Sequence, residues 1–223
     1  MTLDLDYSIR KATLGDVAFI AEVIVGAEKS MTDKLGLGTI FDLSEERLKQ
    51  LLISMLEEEV DGCEFSLSSF FVTLNKGKTV AAMGGWLEGY YDNIPSSLIK
   101  SNLISYFFSR EKILKAQEKS EIIKGLQLER EKGTYQLEYV YVDPDHRGKE
   151  LTKYLQEAHF AYAKQLYPGI KKVQAQEFES NLSSIRTLEK AGFKLAKKHV
   201  SYDENILNYL PFNVKVLMEK SIQ

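Results

Sequence analysis

Residues 134–166 have the sequence TYQLEYVYVDPDHRGKELTKYLQEAHFAYAKQL, and the rest of the chain can be arranged around them. Segment 135–142 is rich in tyrosine, valine and leucine, which predicts a β-strand. Asp143 and Pro144 end it, because proline has no amide hydrogen to donate to a sheet. Apolar side chains then recur at helical spacing and predict a helix: Leu151, Tyr154, Leu155, Ala158, Tyr162 and Leu166.

A basic, glycine-containing turn joins this predicted strand to the predicted helix. It holds Arg147, Gly148 and Lys149. The first amides of a helix and the positive end of its dipole favour an anion. The turn therefore predicts a binding site for phosphate.

Two runs of sequence resemble motifs of the GNAT superfamily of acyl-CoA-dependent N-acetyltransferases. EYVYVDPDHRGK at residues 138–149 is similar to motif A, and NLSSIRTLEKAGF at residues 181–193 is similar to motif B. They occur in the family's order and at about its usual separation. The resemblance implies that an acetyl group moves from acetyl-CoA to an amine by direct attack in a ternary complex.

The resemblance also implies which residues hold acetyl-CoA. Backbone groups of Val140, Tyr141 and Val142 would contact the pantetheine arm and the thioester carbonyl. The pyrophosphate would lie against Arg147, Gly148, Lys149, Glu150, Leu151, Thr152 and Lys153. Asn181 would hydrogen-bond to pantetheine, cap the following helix, or do both.

The phosphate turn departs from the family pattern at two positions. Glu150 and Thr152 stand where the family usually has glycine or a small residue. Glutamate adds bulk and a negative charge beside the phosphates, but backbone amides are present whatever the side chain. We therefore expect CoA to bind more weakly, or in a slightly different orientation, than the family pattern implies.

A carboxylate on the central strand is the candidate general base. Many family members carry a catalytic glutamate at the position of Glu138, and strict strand alternation would place Glu138 on the same face as Val140 and Val142. A base is useful because a free amine is mostly protonated at neutral pH. Glu177 and Glu179 are alternative bases. Glu138 could instead be a surface or ion-paired carboxylate without a catalytic role.

The general acid is harder to assign from the sequence. The family's motif B tyrosine falls on Leu188, which cannot donate a proton. Tyr139, Tyr141 and Tyr202 lie on or near neighbouring predicted strands and could replace it. A thiolate is also a tolerable leaving group without any acid.

Aromatic and acidic side chains alternate near residue 90. Trp86, Glu88 and Tyr90 could bind a cationic amine, because aromatic faces and carboxylates both attract cations. Aromatic side chains covering a sheet edge are the alternative. The expected acceptor is a small amine.

Composition narrows the class of protein. The chain has 223 residues with a net charge of −3, and no strongly basic face or tail suggests nucleic acid. No stretch is apolar enough to cross a membrane, and no spacing of histidine or cysteine predicts a metal site. Cys63 is the single cysteine, so we expect a reducing, cytoplasmic location.

The order of predicted elements indicates an α/β (α+β) fold. We expect a single GNAT-like domain over residues 1–223, with a mixed, mostly antiparallel twisted sheet and helices on both faces. Residues 90–133 read as a helical insertion, in which the helical pattern continues from Ile113 to Leu128 with a charged face and is punctuated by Gly125 and Gly133. The insertion would choose the acceptor, cover the core, or form a homodimer surface. A CoA-binding module without catalysis, serving sensing or assembly, is the rival function.

Overall fold

The computed structural model describes residues 6–30 and 32–222, which form one seven-stranded sheet. The strands lie side by side in the order β1-β2-β3-β4-β5-β7-β6. Their bounds are β1 Tyr7–Lys11, β2 Phe70–Asn75, β3 Lys78–Leu87, β4 Tyr135–Val142, β5 Lys172–Phe178, β6 Lys194–Val200 and β7 Val214–Ser221. The predicted mixed sheet is confirmed, and the predicted bounds of β4 and β5 match the observed ones.

Helices pack on both faces of this sheet. Their bounds are α1 Val17–Lys29, α2 Leu37–Ile40, α3 Glu45–Glu57, α4 Ser96–Phe107, α5 Arg110–Lys115, α6 Gln117–Lys124, α7 Leu151–Leu166, α8 Leu182–Lys190 and α9 Ile206–Tyr209. One apolar core lies between α1, α3, the insertion and the sheet, around Ile20, Leu52 and Phe70. The other lies between α7, α8 and the opposite face, around Tyr135 and Leu155. In the described part of the chain, none of the helices has the length and apolarity needed to cross a bilayer.

The central pair of strands, β4 and β5, is parallel, whereas the other neighbouring strands are antiparallel. Helix α7 makes the crossover that a parallel pair requires. β4 and β5 share register over residues 135–137 and 173–175, and then they part. The separation opens a cleft between the second halves of the two strands.

A β-bulge lies in β4 beside this cleft. Glu138 pairs with Gly84 and Tyr141 pairs with Ala82, so that Tyr139 and Val140 together stand opposite Met83. Tyr139 has a φ of +55°, an uncommon conformation for an aromatic residue. The predicted strict alternation is therefore wrong: the extra residue puts Glu138 on the face of Tyr141 and not on that of Val142.

The insertion contains three helices and an extended tail. The helical pattern predicted to continue from Ile113 to Leu128 ends at Gly125, one of the two glycines expected to punctuate it, but it also breaks at Ala116, which was not predicted. Ala116 is 4% exposed, so tertiary packing holds the break in place. Residues 126–133 then return, without helix, to the start of β4.

Candidate active site

The cleft between β4 and β5 is the candidate site. It lies between the parted strands and the starts of α7 and α8. β4 lines it with residues 137–140, β5 with Ala175 and Glu177, α7 with Thr152 and Gln156, and α8 with Ser184, Thr187 and Leu188. A narrow, partly apolar channel of this kind suits an extended chain such as pantetheine.

One end of the cleft meets the beginning of α7. Four backbone N–H groups there donate to no acceptor among the described residues, and they belong to Gly148, Glu150, Leu151 and Thr152. Gly148 has a φ of +77°, and a Cβ placed on it would meet no atom within 4 Å. The start of this 16-residue helix therefore has an open approach and amides available to an anion.

Glu150 is the N-cap of α7 and holds a left-handed backbone conformation, with φ 56° and ψ 19°. Its side chain is exposed. Glycine adopts this conformation at little cost, whereas other residues lose about 1–2 kcal/mol. The observed backbone thus explains physically why glycine suits this position.

The basic residues of the turn lie around these amides. Arg147 Nε donates to the carbonyl of Val142 at 3.2 Å, which ties the turn to the end of β4. Lys149 Nζ lies 5.3 Å from the ring centroid of Tyr7, and Lys153 Nζ lies 5.7 Å from that of Tyr154. Leu151 is buried beneath the turn and anchors the helix in the core.

Glu138 is held by an arginine from the insertion. Arg130 Nη2 donates to Glu138 Oε1 at 2.6 Å, and both side chains are 15% exposed. The guanidinium of Arg130 also lies 5.0 Å from the ring centroid of Trp86, within range of a cation–π interaction. Glu138 therefore forms a charge-assisted hydrogen bond that fixes its orientation.

A second carboxylate extends this ion pair into the interior. Glu64 Oε1 lies 2.6 Å from Lys100 Nζ and 3.5 Å from Arg130 Nη2. Burial opposes ionisation of Glu64, but the charges of Lys100 and Arg130 outweigh burial and lower its pKa. Despite burial, Glu138 and Glu64 raise the pKa of Arg130. The insertion thus supplies both cations of a buried network that ends at β4.

Glu28 lies near this network, at the end of α1. Burial raises its pKa to about 8, against the lowering effect of the Lys100 charge. Its Oε2 atom is buried and has no hydrogen-bond partner among the described residues. This carboxyl is therefore largely neutral at pH 7.

Glu177 stands on the other side of the cleft, on β5. Its carboxyl accepts hydrogen bonds from Ser184 Oγ and, at 3.1 Å, from Asn181 Nδ2. Burial raises the pKa of Glu177 to about 7, even though the hydrogen bond from Ser184 lowers it. Glu179, the other alternative base, instead pairs with Lys198 at 2.6 Å.

Asn181 caps α8, since its Oδ1 accepts from the amide of Ser184 at 3.3 Å. Its Nδ2 reaches Glu177, as described above. The sequence left open whether Asn181 caps a helix, binds pantetheine, or does both. The cap is present, and the pantetheine contact stays a prediction.

The residues predicted to bind the acceptor have partners of their own. Trp86 is 4% exposed, and its Nε1 donates to Glu88 Oε2 at 3.1 Å. Glu88 is also buried and accepts from the amide and the hydroxyl of Ser96, at 2.8 and 2.6 Å. These bonds fasten the first helix of the insertion to β3. Tyr90 is 43% exposed and packs edge-on against Tyr91.

Sequence reasoning missed Arg130, Lys100, Glu64 and Glu28. They lie in four separate segments, and no motif or periodicity marks any of them in the sequence. Their proximity results from the path of the insertion, which a single sequence does not specify. The described residues contain no group of three or more side chains that could hold a metal ion.

Comparison with known proteins adds the family context. The family model described as the acetyltransferase (GNAT) family matches residues 42–193, which is more than half of the chain. A search of the curated proteins finds no match.

Solved structures share the fold at low sequence identity. An N-acetyltransferase from Staphylococcus aureus Mu50 is 12% identical, with a TM-score of 0.67, covering 96% of this chain and 100% of that one. A second acetyltransferase structure is 17% identical, with a TM-score of 0.61 and coverage of 97% and 100%. A Drosophila melanogaster polyamine N-acetyltransferase that forms N-acetylagmatine is 15% identical, with a TM-score of 0.57 and coverage of 97% and 100%.

Proposed function

Because this chain belongs to the GNAT family of acetyltransferases, we propose that it transfers the acetyl group of acetyl-CoA to the nitrogen of a small amine by direct attack in a ternary complex. One observation carries the proposal. The cleft is lined both by Glu138 and by Thr152, whose amide is one of the available donors at the start of α7, so a proposed base lies in the same cleft as the edge of a proposed anion site. That arrangement fits a long donor with phosphates at one end and a thioester at the other.

Each part of the donor has residues of matching chemistry. The amides of residues 148 and 150–152, with Arg147, Lys149 and Lys153, would hold the pyrophosphate. The parted strand, at Val140, Tyr141 and Val142, would hold the pantetheine arm. When bound, the donor supplies an activated acyl group. No metal enters this proposal.

Glu138 would accept the proton of the attacking amine. Arg130 orients it through a 2.6 Å hydrogen bond, and both side chains are only 15% exposed. A base in a mostly covered site favours a small amine over the terminus of a folded protein. The fly structure that shares this fold acts on a small amine, which agrees with this choice.

The test of the function is binding followed by turnover. Calorimetry with acetyl-CoA should show binding below millimolar concentration, and a thiol-release assay over a panel of amines, polyamines and amino acids should identify the acceptor. Absence of CoA binding at millimolar ligand would end the proposal. Binding without turnover on any amine or peptide would favour the rival, a CoA-binding module with a sensing or assembly role, which Glu150, Thr152 and Leu188 motivate.

Glu138→Gln tests the base. It should lower turnover about 100-fold, because general base catalysis typically contributes at least that much. Its acetyl-CoA affinity should stay close to that of the wild type. Glu131→Gln, an exposed residue of the insertion tail, is the matched control. Unchanged turnover of Glu138→Gln at pH 7 would remove Glu138 from the role.

A further inference from the structure

The leaving sulfur needs a proton, and the usual donor is missing. Leu188, at the family's tyrosine position, lines the cleft but has no proton to give. Of the predicted substitutes, Tyr202 is 91% exposed, and Tyr141 packs edge-on against Phe19 with ring centroids 6.0 Å apart. Burial raises the pKa of Tyr139 well above its ordinary value, near Glu28 and Glu64. Tyr141 and Tyr202 are not among the residues that line the cleft, and Tyr139, which does line it, is a weakened acid.

Glu177 shares the cleft with Leu188 and comes from the opposite wall to Glu138. The two carboxyl groups have different partners. Glu138 binds the cation of Arg130, whereas Glu177 accepts from two neutral donors, Ser184 and Asn181. A carboxyl held by neutral donors in a partly buried cleft keeps a proton more readily than one paired with arginine.

We propose that Glu177 is the general acid, which replaces the absent tyrosine by giving its carboxyl proton to the departing CoA sulfur. This inference rests on the proposed function. The amine nitrogen forms a bond to the thioester carbon and passes its proton to the Glu138 carboxylate. The carbon–sulfur bond breaks, the sulfur keeps the electron pair, and it takes the proton of Glu177. Solvent then returns a proton from Glu138 to Glu177.

The ionisation of Glu177 agrees with this role. Burial raises its pKa to about 7, so that a protonated carboxyl is available near neutral pH. The charged groups that act on it are Glu138 from β4, which raises the pKa, and Lys215 from β7, which lowers it. α8 contributes the uncharged Ser184 and Asn181. Two carboxyl groups in different environments can thus divide the acid and base roles.

Kinetics test the acid. Glu177→Gln should lower kcat about 100-fold while the KM for acetyl-CoA changes little. The wild-type kcat should fall as pH rises through about 7, because the acid must be protonated, and this alkaline limb should be absent in the variant. Glu189→Gln, an exposed change on α8, should keep the wild-type profile. A Glu177→Gln variant with wild-type kcat and profile would overturn the proposal.

Binding tests the same contact without turnover. CoA and desulfo-CoA differ at the sulfur, so their ratio of affinities reports on groups that contact it. At pH 6 the wild type should prefer CoA by about tenfold, equivalent to one hydrogen bond, and Glu177→Gln should lose this preference. An equal change in both affinities would show that Glu177 does not contact the sulfur, and would overturn the proposal.

The outcomes separate this inference from the proposed function. If the wild type binds no CoA, both the proposed function and the role of Glu177 are ruled out. A wild type that acetylates amines, with a rate that rises through pH 7 and no alkaline limb, overturns Glu177 alone. If Glu177→Gln does not fold, the wild-type limb can be compared with the titration of the Glu177 carboxyl by ¹³C NMR. Coincidence would support the acid role, and separation by more than one pH unit would contradict it.

Discussion

Glu150 has a left-handed backbone directly before α7, at φ 56°. Its carboxylate also lies beside the amides proposed to bind pyrophosphate. The left-handed backbone opposes the fold and the charge opposes the bound state, and the Glu150 side chain makes no capping hydrogen bond. The residue therefore offers a substitution that should improve the protein in two measurable ways.

We expect Glu150→Gly to stabilise the fold by about 1 kcal/mol, because it removes left-handed strain. It should also lower the Kd for acetyl-CoA, since one negative charge leaves the phosphate site. Urea unfolding and calorimetry measure the two effects. Glu157→Gly, on the exposed face within α7, should instead cost about 1 kcal/mol. Weaker CoA binding by Glu150→Gly would contradict the placement of the pyrophosphate.

At the scale of elements, the two ends of the insertion are connected to β3 and β4. Glu88 holds the start of α4 through Ser96 and also binds Trp86. Arg130, from the tail after α6, packs over Trp86 and binds Glu138. The insertion therefore contributes directly to the geometry of the proposed base.

Arg130→Met should uncouple the insertion from β4. We expect a loss of about 3–5 kcal/mol of stability, because the mostly buried Glu138 loses the cation it pairs with and Glu64 keeps only Lys100. The kcat should fall at least tenfold, because Glu138 loses the 2.6 Å hydrogen bond that orients its carboxylate. Arg130→Lys should retain part of the activity. Arg110→Met, an exposed change in the insertion, is the control, and a folded Arg130→Met with wild-type kinetics would refute the coupling.

Prediction from the sequence succeeded where the signal is local. The bounds of β4 and α7 follow from a run of β-favouring residues, a proline stop and a period of 3.6, all within residues 134–166. The bulge at Tyr139 escaped prediction because one extra residue leaves the pattern of side chains looking regular. The break at Ala116 also escaped, since both flanking segments favour helix and only packing separates them. The contact between Arg130 and Glu138 depends on the fold of the whole insertion.

At the scale of the whole molecule, buried carboxyl groups should make stability depend on pH. The pKa of Glu28 is raised to about 8, from an ordinary value of 4.5, by burial. Between those values the unfolded chain binds fewer protons at this position than the folded chain. Stability linked to Glu28 is therefore fully present below pH 4.5 and is lost as pH rises through about 8.

We expect Glu28→Gln to remove this loss. Between pH 6.5 and 8 the wild type should lose up to about 1.4 kcal/mol per pH unit more than the variant. Urea unfolding at several pH values measures the difference. Glu22→Gln, on the same helix and 67% exposed, should keep the wild-type dependence. Parallel curves for the wild type and Glu28→Gln would contradict the burial of a neutral carboxyl.

The short paired segment between β4 and β5 affects how the two parts of the sheet are held together. Everything from β1 to β4 belongs to one half-sheet, β5 to β7 form the other, and the two share three paired positions. A donor bound in the cleft between β4 and β5 would contact both half-sheets and so link them. Binding of the donor would then stabilise the contact between the two half-sheets, and release of the product would weaken that contact until the next donor binds.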